Sequence, residues 1–243
     1  MHRPKIDVII PAYNEEASIG KVIEAIPKDW VREIIVCNNN SSDNTAEVAR
    51  AAGATVLLQP KKGYGSACLK GMEHIAEKEL AKHPDIVVFL DGDYSDHPEE
   101  LPLLIEPIIN EGAELVIGSR AAGKMERGAM MPQQIFGNWL ATSLIRWLYK
   151  YEFTDLGPFR AIQYDSLIGL EMNDPDFGWT VEMQVKAAKH KLKCREIPVT
   201  YRQRIGVSKV SGTIKGTILA GHKIIWTIFK LSLIHISEPT RPY

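Results

Sequence analysis

Short apolar runs rich in Ile and Val recur through the first half of the chain, each closing in small or polar residues and each followed by a helical pattern. Residues 6–11, 33–37, 55–58, 86–90 and 115–118 read as strands. The run 86–90, five apolar residues in a row, suits a strand buried on both faces. Between the strands, Asn14 can cap a helix from about residue 15 to 26 that Pro27 stops, and Ser42 or Asp43 can cap a helix over 45–52 that Gly53 closes. A loop at 61–65 leads into a long helix ending near Lys82, and Pro98 suits the first turn of a helix running towards Glu111, made irregular by Pro102 and Pro107. Alternating strands and helices imply right-handed βαβ crossovers and a mostly parallel sheet of an α/β fold. The second half is less regular: helices over 132–149 and 180–190, strands over 159–164 and 195–201, a basic Gly-containing loop over 202–212, and a last helix over 213–230. No linker interrupts it, so residues 1–212 form one domain with 213–230 appended as a helix. Residues 231–243 resemble a translated sequencing-adapter read-through and are read as a non-native tail.

The run 86–90 ends abruptly in Asp91-Gly-Asp93. In an open parallel sheet the carboxyl ends of strands are where ligands bind. Two carboxylates there can hold Mg²⁺ or Mn²⁺, leaving the other positions to water and phosphate oxygens. Ordinary turn chemistry is the competing reading. The first βα junction, Pro11-Ala-Tyr-Asn-Glu15, and the second, residues 37–45, bring further polar side chains and helix-start N–H groups to the same edge. Capping and turn formation explain each of these stretches taken alone. Gly63-Tyr-Gly65 is either a tight turn or a partial phosphate cradle, lacking a complete nucleotide fingerprint.

Composition narrows the classes. With 243 residues, 45% of them hydrophobic, and a net charge of −1, the chain can bury a large core and gives no support to a general nucleic-acid role. Cys37, Cys68 and Cys194 are too widely spaced for a zinc site or a disulfide framework and fit a reducing compartment. No signal peptide and no membrane-spanning run is evident. Residues 132–149 combine two Trp with an internal Arg, suiting either a buried helix or one lying at a membrane interface. In the last helix Lys215, His222 and Lys230 share one stripe and Ile214, Ile218, Ile225 and Phe229 another, the pattern of a basic amphipathic helix on anionic lipid. Peripheral contact with the cytoplasmic face of a membrane is therefore expected, against packing on the sheet or a dimer contact.

In order, Pro11-Ala-Tyr-Asn-Glu15, residues 38–45, Asp91-Gly-Asp93, Gly118-Ser-Arg120 and Thr154-Asp-Leu-Gly-Pro-Phe-Arg160 resemble the family 2 glycosyltransferases over about residues 5–212. Arg204-Ile-Gly-Val-Ser-Lys209 resembles the late basic loop of the dolichyl- and polyprenyl-phosphate mannose or glucose synthases within that family. The resemblance implies the GT-A nucleotide-sugar-binding fold and an inverting, metal-dependent transfer of a hexose from a nucleotide diphosphate sugar to polyprenyl phosphate. It implies that Pro11, Tyr13, Glu15 and Asn38 line the nucleotide pocket. Asp91 would lie by nucleotide and metal, and Asp93 would hold the metal. Arg120, Arg204 and Lys209 would face phosphates, and Asp155 would sit by the acceptor nucleophile. Glu182 matches a frequent family Glu, with a structural role the alternative. Departures are Asn38 where the family often has Asp, Ser95 where Gln is common, and Gln133 and Gln134 where further basic residues are usual, with Arg127 a possible substitute. A soluble or glycan hydroxyl acceptor, for which Asp155 would be the base, and a non-catalytic nucleotide-sugar-binding module are the competing functions.

Overall fold

A computed structural model describes residues 3–206 and 214–233. Its centre is a seven-stranded sheet: β1 (Ile6–Ala12), β2 (Glu33–Asn38), β3 (Thr55–Leu58), β4 (Ile86–Phe89), β5 (Leu115–Met125), β6 (Arg160–Gln163) and β7 (Cys194–Tyr201), in the order β3-β2-β1-β4-β6-β5-β7. All pairings are parallel except those of β6, which runs antiparallel to both β4 and β5. Every residue of β1 and β4 is buried, as unbroken apolar runs require. Side chains alternate between two cores. Ile9, Ile35, Val87 and Phe89 point to one face, where they meet α3 (Tyr64–Ala76), α5 (Pro132–Tyr149), α6 (Tyr164–Gly169), α7 (Trp179–Lys189) and α8 (Ile214–Leu233). Val8, Ile10, Val36 and Val88 point to the other, under α1 (Ile19–Ala25), α2 (Thr45–Ala51) and α4 (Leu101–Glu111). Each fully buried Ile of these strands contributes about 1.5–3 kcal/mol of transfer free energy. Asp7, buried within β1, is held by both Nε and Nη2 of Arg32.

Several boundaries differ from those the sequence suggests, each for a local reason. The first helix begins at Ile19, because Asn14 has φ 53° and uses its Oδ1 to accept from the backbone N of Ser42. The third ends at Ala76; Lys78 turns towards Glu33, and a 3₁₀ turn over Leu80–Lys82 completes the connection. Pro98–Glu100 is likewise a 3₁₀ turn before α4. β5 runs on to Met125, because after a bulge beyond Ser119 residues Lys124 and Met125 pair with Thr200 and Tyr201. The short α6 was not evident in the sequence.

The last helix extends beyond the residue at which the sequence suggests it ends. It continues through Leu233, with Leu231 buried against the core. Among its described side chains Thr227, Ile228 and Leu231 are buried, whereas Phe229, of the apolar stripe, is exposed. The Lys223 Nζ pairs with Asp174 at 2.9 Å, fixing α8 to the loop before α7. Among the described residues no helix is long and apolar enough to cross a membrane.

The antiparallel insertion of β6 determines where the chemistry falls. β1, β2, β4, β5 and β7 all point the same way, so their carboxyl ends share one edge of the sheet. β6 runs against them, with Arg160 paired to Phe89 and Ile117, so the loop before it opens onto that same edge. Pro11–Glu15, Asp91–Asp93, Arg120, Asp155 and Arg204 thus converge from five separate segments.

Candidate active site

At this edge lies a cavity of about 620 Å³, lined on one side by Pro11, Tyr13, Glu15, Lys62, Asp91, Asp93 and Arg204, and on the other by residues of α5, α7 and α8. Tyr13 lies beneath the Lys62 ammonium, 5.2 Å from its ring centroid. Asp91 accepts a hydrogen bond from the Tyr64 hydroxyl at 3.0 Å. Burial, and then the charge of Asp93, push the Asp91 carboxyl up to about 7. Asp96, buried behind the pair, is also pushed well up by burial and by Asp91 and Asp93. Asp93 is buried; its Oδ1 accepts from the Ser95 N and Oγ at 2.9 and 2.5 Å, and its Oδ2 meets Arg204 Nη2 at 2.5 Å. The same Nη2 lies 3.9 Å from Glu15.

This concentration of acids suits a divalent cation, which would favour ionisation of Asp91 and relieve its repulsion with Asp93. Among the described residues no group of three or more His, Cys, Asp or Glu is arranged to hold a metal alone. Two hard carboxylates with a neighbouring phosphate ligand are the set that Mg²⁺ or Mn²⁺ accepts.

Asp155 is held differently. Both carboxylate oxygens accept from one guanidinium: Oδ2 from Arg120 Nε at 2.8 Å and Oδ1 from Nη2 at 2.7 Å, with the Arg120 backbone N adding a third bond at 2.7 Å. Although burial alone would lower it, the charge of Asp155 raises the Arg120 pKa further, so its charge is permanent. The loop backbone is also fixed. Glu196 accepts from the N of Thr154 and of Asp155, Gln184 donates to the Asp155 carbonyl, and the buried Arg160 donates to the carbonyls of Leu156, Gly157 and Thr180. Asp155 opens onto a second, smaller cavity of about 260 Å³ with Ala121, Met125, Met130, Ile135 and Asn138.

Other expected residues take different places. Asn38 uses its Oδ1 to accept from Ser41 N and does not line the large cavity; Asn39 lines it instead, donating to the carbonyls of Gln59 and Lys61 and accepting from Gly63 N. Gly63 and Gly65 serve close packing: a Cβ at either would overlap the carbonyl oxygen of Pro175 or Asp174. Glu182 is structural, accepting from the N of Asn173 and Asp174 and pairing with Lys186. Gln133 and Gln134 line the cavity, whereas Arg127 does not. Lys209 lies outside the described residues. Gln184, Glu196 and Asn138 were not singled out in the sequence, and Tyr64 and Arg160 stood there only within motifs, without a role of their own. Only the amide of Asn138, in the middle of an apolar helix, left a signal that could have been noticed.

The glycosyl transferase family 2 model matches residues 7–169. An uncharacterised glycosyltransferase of Mycobacterium tuberculosis is 34% identical over 88% of this chain and 94% of that protein. The undecaprenyl-phosphate mannosyltransferase of Micrococcus luteus is 29% identical over 87% of this chain and 90% of that one. Among solved structures, glucosyl-3-phosphoglycerate synthase from Mycobacterium tuberculosis, in complex with Mn²⁺, UDP-glucose and phosphoglyceric acid, is similar with a TM-score of 0.71 and 25% identity, covering 96% of this chain and 81% of that chain. With its seven-stranded GT-A sheet and its acids gathered at the strand ends, this chain belongs to glycosyl transferase family 2.

Proposed function

We propose that the protein transfers a hexose, with inversion, from a nucleotide diphosphate sugar to polyprenyl phosphate at a membrane surface on the cytoplasmic side. The observation that carries this reading is the double engagement of Asp155 by Arg120. A hydroxyl acceptor needs a base to take its proton as the new bond forms. A carboxylate with both oxygens bonded to a buried guanidinium is poorly available for that task. A phosphate acceptor arrives as an anion and needs orientation instead.

In this reading a phosphate oxygen attacks the anomeric carbon. The new C–O bond forms as the C–O bond to the diphosphate breaks, and nucleoside diphosphate leaves with the electron pair. Mg²⁺ or Mn²⁺, held by Asp91 and Asp93, would neutralise charge on that leaving group. Pro11, Tyr13 and Glu15 line the donor side. Arg204 and Lys62 supply cationic groups to the diphosphate, and Lys209 belongs to the same basic segment. Arg120 holds Asp155 beside the acceptor.

Two further observations support a lipid acceptor. Phe136, Trp139 and Trp147 of α5 are 60%, 59% and 65% exposed, and Trp226 of α8 is 57% exposed. Aromatic side chains of this kind favour the bilayer interface. The similarity to undecaprenyl-phosphate mannosyltransferase points the same way. The similarity to glucosyl-3-phosphoglycerate synthase supports a second reading, a soluble phosphorylated acceptor.

The test compares polyprenyl phosphate with the corresponding polyprenol, using labelled UDP- and GDP-hexoses and Mn²⁺. Labelled lipid from the phosphate and none from the alcohol is expected. Equal use of the alcohol, or no product from the phosphate with any of these donors, would refute the reading.

A further inference from the structure

The first half of α5, residues 132–140, buries none of its side chains; its buried residues, Ala141, Thr142 and Ile145, come only afterwards. Burial therefore does not fix its position. Asn138 instead joins it to the acidic loop. Its Nδ2 donates to the Thr154 carbonyl at 3.0 Å, and its Oδ1 accepts from the Leu156 N at 2.8 Å. One side-chain amide thus binds the backbone on both sides of Asp155. The remaining supports of that loop, Glu196, Gln184 and Arg160, come from the sheet and α7. Asn138 also borders both cavities, the large one beside Asp93 and the small one that contains Asp155.

We propose that Asn138 is a positioning residue for Asp155: it ties the first half of α5 to the Thr154–Asp155–Leu156 backbone, so that an acceptor resting against α5 is held in register with the Asp155 carboxylate. This rests on the reading of Asp155 as the acceptor-side acid. Asn138 touches no reacting atom in this scheme and acts through Asp155. Its loss should slow transfer and leave donor binding intact, because Tyr13, Asp91, Asp93 and Arg204 are held by other elements.

The experiment is a double-mutant cycle of Asn138→Ala and Asp155→Asn. It reads nucleoside diphosphate release from UDP- and GDP-hexoses with Mn²⁺, with polyprenyl phosphate and 3-phosphoglycerate as acceptors, alongside calorimetric binding of the donor. Asn138→Ala should lower kcat by about 10²-fold, the effect of misplacing a catalytic group by about 1 Å, with donor affinity unchanged. In the Asp155→Asn background it should have no further effect, since the two residues act as one unit. A kcat close to that of the parent, a parallel loss of donor binding, or a fully additive double mutant would each overturn the inference. If Asp155→Asn alone retains the parent rate, the reading of Asp155 fails; if it is inactive while Asn138→Ala is not, the positioning role alone fails. Asn138→Asp serves should the alanine variant not fold. It keeps the shape and the acceptor for Leu156 N but sets a second carboxylate oxygen against the Thr154 carbonyl. Its deficit should shrink in mildly acid solution, where the protonated acid can donate. A deficit independent of pH, or none, would count against the proposal.

Discussion

Asp93 and Asp155 are buried at the same edge of one sheet, yet the protein treats them in opposite ways. Around Asp93 it crowds like charge: Asp91 and Asp96 are both pushed upward, and Arg204, the cation that meets Asp93, comes from the last strand's loop. Around Asp155 it supplies a bidentate guanidinium and a fixed backbone, leaving the acid neutralised within the fold. In the proposed function the first arrangement would gain stability from a bound cation. The second is complete without one. The proposed function builds on this contrast, with the metal and the leaving group on one side and the orientation of an acceptor on the other.

The largest effect should come from removing the metal-side charge. Asp93→Asn should reduce Mn²⁺-dependent transfer by on the order of 10³-fold, since one preorganised charge interaction is worth that much at a reacting centre. Its thermal midpoint should stay near that of the parent. Full activity of the parent in excess chelator would erase the distinction between the two acids. Next, Arg120→Lys keeps the charge and loses the fork, so transfer should fall by about 10²-fold. Arg120→Ala, which leaves Asp155 buried and unpaired, should also destabilise by about 3–5 kcal/mol in denaturant titrations.

A third prediction concerns pH. The ordinary Asp value is 3.8 and the folded Asp91 sits near 7, so between these values the folded state binds a proton that the unfolded chain has released. The metal-free protein should lose stability as pH rises through that window, and Asp96, also pushed upward, adds to the loss. Because a metal ligand must be ionised, Mn²⁺ affinity should rise over the same range. Asp91→Asn should make the profile shallower; an unchanged profile would place the effect elsewhere. The smallest effect on the enzyme's chemistry should come from Trp139→Ala with Phe136→Ala. Vesicle binding should weaken while stability changes by less than about 0.5 kcal/mol, as for exposed positions generally. Vesicle binding equal to the parent's would separate α5 from any membrane role.

The same contrast explains what could be read from the chain. The metal side is built from residues close in sequence to the strands that carry them. Asp91 and Asp93 follow β4 directly and Pro11 to Glu15 follow β1, so apolar runs with polar ends located them. Asp155 was legible only as part of a resemblance. Its position depends on β6 running antiparallel, and its supports, Arg120, Asn138, Gln184 and Glu196, lie on four other segments. No local pattern encodes such hydrogen bonds. Asn14 and Asn38, read as a helix cap and a nucleotide contact, turned out to bond neighbouring loop backbone, an alternative always open to short amides.

In the proposed function the acceptor brings its own negative charge on a lipid. The most direct measurement offers the enzyme equal concentrations of polyprenyl phosphate in vesicles and 3-phosphoglycerate in solution, with one labelled nucleotide sugar and Mn²⁺, and partitions the label between the organic and aqueous phases. Label in the lipid fraction, lost when Asp155 or Asp93 is replaced, is the predicted result. Label confined to the aqueous sugar phosphate would contradict it and transfer the site to a soluble acceptor.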